Sequence, residues 1–173
     1  MTRDTPSGPI VSLSHQSDDE SLPELAEYEF GLILAGHAFD RWMVRCMAAA
    51  GETGLSAMDV LVLHSVNLRE RPKRLADICI VLGIEDTHLV VYAIKKLEKR
   101  GLVESTRAGK EKVIAITEKG MEVCRAYRKV REALLVQAVR ELGLDPKAIS
   151  AVASTLRALS GHYDQAARAA AAL

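Results

Sequence analysis

Residues 86–100 concentrate side chains that can donate hydrogen bonds and carry positive charge. A helical repeat of 100° per residue gathers the apolar side chains of this segment in one arc, made of Leu89, Val90, Ala93, Ile94 and Leu97. The opposite arc and its margins carry hydroxyl, imidazole, methyl, phenol and ammonium groups, on Thr87, His88, Val91, Tyr92, Lys95, Lys96 and Lys99. A helix in a DNA major groove needs this division, because one face packs on its domain while the other meets base edges and phosphates.

The residue types in the polar arc predict separate roles. His88 and Lys95 can hydrogen-bond to purine edges, and Val91 can contact a thymine methyl group. Lys96 and Lys99 suit phosphate contacts. The alternative is an ordinary amphipathic surface helix. An outward valine and tyrosine disfavour that alternative, because a purely solvated face usually carries neither.

A short hairpin is predicted directly after this helix. Residues 102–106 and 112–117 alternate like strands, and either Val113 with Ala115 or Ile114 with Ile116 can form the inner face. The connecting segment carries three cations that could contact an adjacent groove or backbone, namely Arg107, Lys110 and Lys112. A plain surface turn is the alternative interpretation.

The charge distribution favours an anionic partner although the 173-residue chain has a net charge of zero. Residues 69–131 hold 16 Lys and Arg against nine Asp and Glu, a net charge of +7, and the remaining residues therefore carry −7. Local charge governs attraction to phosphates within a Debye length of roughly 8–10 Å. A solvated, lysine-rich helix surface is the alternative.

Further helices are predicted before and after the helix and hairpin of residues 86–117. We expect a flexible acidic tail over residues 1–22 and helices over about 24–50, 57–68, 74–82, 118–142 and from 146 to the C-terminus. Ser56 and Asp59 form a predicted capping box. The order predicts a mainly α fold with a small β-hairpin wing, which is a winged helix-turn-helix with long N- and C-terminal helices.

The sequence resembles the MarR family of winged-helix transcription regulators. Three runs carry the resemblance: Leu75-Ala76-Asp77, then Leu97-Glu98-Lys99-Arg100-Gly101-Leu102-Val103, then Ile116-Thr117-Glu118-Lys119-Gly120. It implies a single domain over residues 23–173, with a DNA-binding lobe at 55–120 and dimerisation helices at 23–50 and 118–171. It also implies a homodimer with two recognition helices in successive major grooves of double-stranded DNA.

Three departures from the family pattern indicate a divergent branch. The helix ending near Gly83 is longer than usual, and the stretch from Gly83 to Gly101 is about one residue longer, which could shift the base-facing positions by one. The wing is short and lacks the Asp-Arg pair that many members carry near its tip, so its entry into the minor groove is left open.

The resemblance raises two regulatory alternatives. Members often bind small phenolic or aromatic effectors, and Phe39, Trp42 and Met43 are candidate pocket residues, although helical spacing of such residues also suits plain core. Some members sense oxidants through cysteine, which makes Cys46 and Cys124 candidates if their thiols are exposed and acidic.

Other functional classes lack support in the sequence. We find no nucleophile elbow, phosphate-binding glycine loop, HExxH motif or tight metal-ligand spacing, so no enzyme, cofactor or metal site is expected. No long apolar run or signal pattern is present, so we expect no membrane partner and a cytoplasmic location. We therefore predict a sequence-specific DNA-binding regulator that represses as a homodimer. A winged-helix protein-interaction module and a cysteine-based redox regulator are the alternatives.

Overall fold

The computed structural model describes residues 22–108 and 111–173. Its helices are α1 (Pro23–Ala49), α2 (Ala57–Asn67), α3 (Leu75–Leu82), α4 (Thr87–Lys99), α5 (Glu118–Arg131), α6 (Gln137–Glu141) and α7 (Pro146–Ala170). Its strands are β1 (Val103–Ala108) and β2 (Glu111–Ile116). The mainly helical fold with a β-hairpin is confirmed. The predicted acidic tail lies outside the described residues, apart from Leu22.

Helix α2 forms the centre of the core, as its nearly continuous apolar sequence predicts. Val60, Val62, Leu63 and Val66 are fully buried, and α2 packs mainly against α4. The predicted capping box is present, since the Ser56 N–H donates to Asp59 Oδ2 at 2.7 Å and the Asp59 N–H donates to Ser56 Oγ at 3.2 Å.

Helices α3 and α4 are joined by a tight turn that depends on one glycine. Gly83 ends α3 with φ of 64°, in the left-handed region that side chains with a Cβ disfavour. Asp86 then caps α4 by accepting from the His88 N–H at 2.9 Å. The two helices therefore form the helix-turn-helix that the sequence predicts.

The hairpin pairs β1 with β2 in antiparallel register, from Val103 opposite Ile116 to Ala108 opposite Glu111. The edge of β2 that faces away from β1 is also paired, because Lys73 forms a backbone bridge to Ile114. Strand β2 is thus central, and both Val113 and Ile114 are buried. Neither alternating inner face predicted for this strand is correct, because adjacent strand residues point to opposite faces and both faces of β2 are covered here.

Helix α5 begins as predicted, with the Thr117 hydroxyl accepting from the Gly120 N–H at 3.0 Å. The predicted uninterrupted helix over 118–142 is wrong in one respect, because Glu132–Val136 forms a π-helical turn. The described chain forms two compact units that meet in sequence at residues 127 and 128. The single domain over residues 23–173, with its DNA-binding lobe and dimerisation helices, stays a prediction.

Helix α7 begins at the predicted Asp145-Pro146 cap and runs for 25 residues without burying any of them. Its exposed large apolar side chains recur at helical spacing along one stripe, formed by Ile149, Val152, Leu156 and Tyr163. No helix of the described residues is both long and apolar enough to cross a membrane.

Candidate nucleic-acid interface

The outer face of α4 brings together most of the side chains that were predicted to contact DNA. Thr87, His88, Tyr92, Lys95 and Lys99 are all exposed, and the Tyr92 side chain reaches 71% exposure. Among the described residues, neither Lys95 nor Lys99 forms a salt bridge. The face therefore offers free ammonium groups beside a phenol and an imidazole, which is a suitable set of donors for phosphates and base edges.

Two apolar residues of α4 differ from their predicted positions. Leu89 was assigned to the inner arc but is 48% exposed, whereas the next residue, Val90, is fully buried, so the buried arc of α4 is narrower here than predicted. Val91 was assigned to the outer arc but is half-buried and lines a cleft of about 190 Å³. This cleft lies between α3, α4 and β2 and is lined by Leu75, Val91, Ile94, Lys95, Glu98, Lys112 and Ile114.

Lys96 forms an ion pair with a buried carboxylate of the core. Its Nζ donates to Asp59 Oδ2 at 2.6 Å, and Asp59 is only 4% exposed. The lysine side chain itself keeps 41% of its exposure. Lys96 therefore differs from Lys95 and Lys99, although all three were predicted to contact DNA.

A second, largely enclosed carboxylate holds the C-terminal end of α4. Glu52 is 11% exposed; its Oε2 accepts from Arg100 Nη1 at 3.1 Å and its Oε1 pairs with Lys119 Nζ at 2.9 Å. Burial alone would raise the pKa of Glu52, but the hydrogen bonds from Lys119 and Arg100 outweigh burial and lower that pKa. Glu52 thus ties the segment between α1 and α2 to the end of α4 and the start of α5.

The wing places like charges opposite each other. Arg107 on β1 lies directly across from Lys112 on β2, and both side chains are exposed. Like charges in directly opposed positions destabilise a strand pair, and a bound anion relieves their repulsion. Lys110, the remaining predicted wing cation, lies outside the described residues.

The segment between α2 and α3 carries a cationic group that was not among the predicted site residues. Lys73 Nζ donates to the carbonyls of Val66, at 3.1 Å, of Leu68, and of Arg71, at 2.9 Å. Burial lowers the pKa of Lys73, and the nearby Arg71 and Arg69 lower it further. The basic run RERPKR at residues 69–74 was the available sequence signal.

Two arginines of the segment between α2 and α3 have unusual surroundings, one in its backbone conformation and the other in its ion pairs. Arg69 is the only non-glycine residue of the described chain with positive φ, at 61°, a conformation that costs energy outside glycine. Arg74 bridges Asp77 at 3.1 Å and Glu111 at 3.5 Å. The Arg74–Asp77 hydrogen bond raises the pKa of Arg74 and lowers that of Asp77.

The predicted effector-pocket residues differ in exposure. Phe39 is exposed, Trp42 is half-buried, and Met43 belongs to the core of its unit. The Trp42 Nε1 atom is buried without a hydrogen-bond partner among the described residues. An effector role for these three side chains stays a prediction.

The predicted redox cysteines are buried within the described residues. Cys46 Sγ donates to the Tyr127 carbonyl at 3.6 Å, and Cys124 is also enclosed. Cys79 is buried as well, as its apolar sequence neighbours predict. A sensor thiol needs access to the oxidant, so burial disfavours the redox alternative, which stays a prediction.

No group of three or more candidate metal ligands lies together in residues 22–108 and 111–173.

Comparisons with known proteins agree with this geometry. The profile of a family described as a winged helix DNA-binding domain matches residues 55–120. A comparison with curated protein sequences found no match. The helix-turn-helix and the wing both fall inside the matched range.

Several solved structures of transcription regulators share the fold. A MarR-family regulator from Rhodococcus sp. RHA1 is 20% identical, and the match covers 82% of this chain and 96% of that chain with a TM-score of 0.64. CouR from Rhodococcus jostii RHA1, solved with p-coumaroyl-CoA, is 18% identical, with 77% and 91% covered and a TM-score of 0.61. The organohalide-sensing regulator RdhR-CbdbA1625, solved with 2,4-dichlorophenol, is 17% identical, with 87% and 88% covered and a TM-score of 0.63.

Residues 55–120 are therefore similar to a winged helix DNA-binding domain. The chain shares the fold of solved MarR-family regulators, so the winged-helix fold that the resemblance implied is confirmed.

Proposed function

We propose that the protein is a sequence-specific regulator that binds double-stranded DNA through the outer face of α4 and the wing. The observation that carries this proposal is the exposed set of donors on α4 beside a hairpin with opposed cations. Thr87, His88, Tyr92 and Lys95 would meet base edges and nearby phosphates. Lys99, Arg107 and Lys112 would bind the backbone, where each contact releases counterions and makes affinity salt-dependent.

We further propose that two copies act together. An amphipathic helix is stabilised mainly by packing its apolar face, yet α7 buries none of its residues within one chain. The exposed apolar residues Leu32, Ile33, Leu34 and Phe39 of α1 also suit packing against a second copy. A two-fold dimer would place two recognition helices one duplex turn apart, on a roughly palindromic site.

Repression is the proposed mode of regulation. A dimer that occupies two successive major grooves blocks that stretch of a promoter to other proteins. Two of the similar structures were solved with p-coumaroyl-CoA and with 2,4-dichlorophenol. We propose that this protein also responds to a small molecule, whose binding would shift the equilibrium away from the DNA-bound form.

Selection of bound fragments from genomic DNA tests binding and identifies the targets in one experiment. We expect enrichment of a few fragments that share a palindromic motif. In fluorescence anisotropy, affinity for an enriched fragment should fall steeply with salt and exceed affinity for an unrelated duplex.

Other outcomes of these experiments would exclude DNA binding or favour one of the alternatives. No enrichment and no salt-sensitive binding to any fragment would exclude this proposal. If the protein then bound another protein through α4, the interaction-module alternative would be favoured. The redox alternative requires peroxide to change DNA release in the parent but not in Cys46→Ser or Cys124→Ser variants.

A further inference from the structure

Helix α4 is tied to the segment before and at the start of α2 by two ion pairs. One joins Lys96 to Asp59, and the other joins Arg100 to Glu52. The two cations are four residues apart and therefore lie on one side of α4, one turn from each other. Glu52 lies in the segment before α2, and Asp59 lies seven residues further on, in the first turn of α2.

Asp59 is held in place by bonds other than its ion pair with Lys96. Its backbone N–H and its Oδ2 both take part in the capping box with Ser56, and the same Oδ2 accepts from Lys96. A carboxylate that is 4% exposed and held by these bonds cannot reach DNA. The Lys96 ammonium is therefore directed toward the rigid start of α2.

We propose that Asp59 and Lys96 are positioning residues that set the rotation of α4 about its own axis, and thereby select which side chains face the bases. The inference rests on the proposed function. Rotation matters because direct readout depends on hydrogen-bond geometry, whereas contacts to phosphate tolerate small displacements. Losing the pair would reduce discrimination between sequences more than it reduces attraction to DNA.

The test uses the full chain, the enriched genomic fragment and an unrelated duplex of equal length. The variants are Lys96→Gln, Asp59→Asn, their combination and Lys96→Arg, with Lys99→Gln as the matched control on the same helix. Thermal unfolding without DNA confirms that each variant is folded. Anisotropy over a salt series then gives two quantities for each variant, namely the affinity ratio between the two DNAs and the salt slope.

We expect Lys96→Gln and Asp59→Asn to lower the affinity ratio alike, by about tenfold, with the salt slope unchanged. The double variant should be no worse than either single variant, because both remove one interaction. Lys96→Arg should restore the ratio. Lys99→Gln should instead reduce the salt slope by about 1 and leave the ratio nearly intact.

Two results would overturn the inference while the proposed function stands. The first is a Lys96→Gln variant whose salt slope falls by about 1 with its ratio retained, which would make Lys96 a phosphate contact. The second is an Asp59→Asn variant that is folded and discriminates like the parent. If Asp59→Asn does not fold, the comparison of Lys96→Gln with Lys96→Arg decides. A parent protein that selects no DNA would overturn both proposals.

Discussion

Gly120 lies where the start of α5 passes very close to the residue before β1 and to the end of β2. A Cβ built at this position would lie 2.1 Å from the Leu102 carbonyl oxygen and 2.7 Å from Ile116 Cδ1. Backbone cannot yield to such contacts without moving α5 or the wing. The glycine of the Ile-Thr-x-x-Gly motif is therefore required by packing, which the sequence motif alone did not explain.

We expect Gly120→Ala to lower the free energy of unfolding by about 1–3 kcal/mol, the usual cost of inserting volume into a packed site. Urea unfolding followed by circular dichroism would measure the change. Gly36→Ala in α1 is the control, because its Cβ would meet nothing within 4 Å. That substitution should raise stability by up to about 1 kcal/mol, since alanine favours helix over glycine. Equal stability of Gly120→Ala and the parent would contradict the close approach.

Glu52 makes stability depend on pH. Its folded pKa lies below the ordinary glutamate value of 4.5, so its ion pairs contribute above that pH and are lost as pH falls through the folded pKa. We expect Glu52→Gln to cost about 1–3 kcal/mol near pH 7 and progressively less below pH 4.5, where the parent also loses the pairs.

Urea unfolding between pH 7 and pH 3 would follow the difference between the two proteins. Glu118→Gln is the control, because the Glu118–Arg125 pair is exposed on both sides and such pairs contribute little. A pH-independent difference for Glu52→Gln would show that the carboxylate charge is not involved.

Helix α4 and the wing are expected to contact DNA in different ways. Lys95→Ala should cost about 1–3 kcal/mol on the enriched fragment and relax its sequence preference, because Lys95 is expected to contact a base. Anisotropy against single-base variants of the fragment would identify the affected position. Unchanged preference would remove Lys95 from the set of base contacts.

Lys112→Ala should weaken binding to all sequences alike and reduce the salt slope by about 1. It should also leave the free protein as stable as the parent or a few tenths of a kcal/mol more stable, because the repulsion with Arg107 is removed. A salt series together with urea unfolding separates the two effects. An unchanged slope would contradict phosphate binding by the wing.

The sequence predicted elements better than it predicted side-chain directions. Caps at Ser56, Asp86 and Thr117 are local, so residue type and spacing were sufficient. The partner of Lys96 lies 37 residues away on α2, and no helical repeat of α4 can indicate it. Likewise, Val113 and Ile114 point to opposite faces of β2 and are both buried, so residues from elsewhere in the chain cover both faces, which alternation within the strand cannot indicate.

The apolar stripe of α7 provides the test of assembly. Val152→Asp places a charge on its apolar stripe, at a side chain 59% exposed in one chain. We expect this change to shift the protein toward monomer in sedimentation velocity and to weaken DNA binding in parallel. Gln165→Asp is the matched control, because it introduces the same side chain on the other side of the helix by the 100° repeat. A monomeric parent, or a dimeric Val152→Asp variant, would contradict packing through this stripe.

The exposed length of α7 links the amount of protein in the cell to its effect. On the proposed assembly, a newly synthesised chain covers this helix by meeting another copy, so completing the fold and pairing are coupled. Where most chains are single, the paired form grows with the square of their concentration. Occupancy of a target site would then rise above a threshold, and halving the gene dose would reduce regulation by more than half.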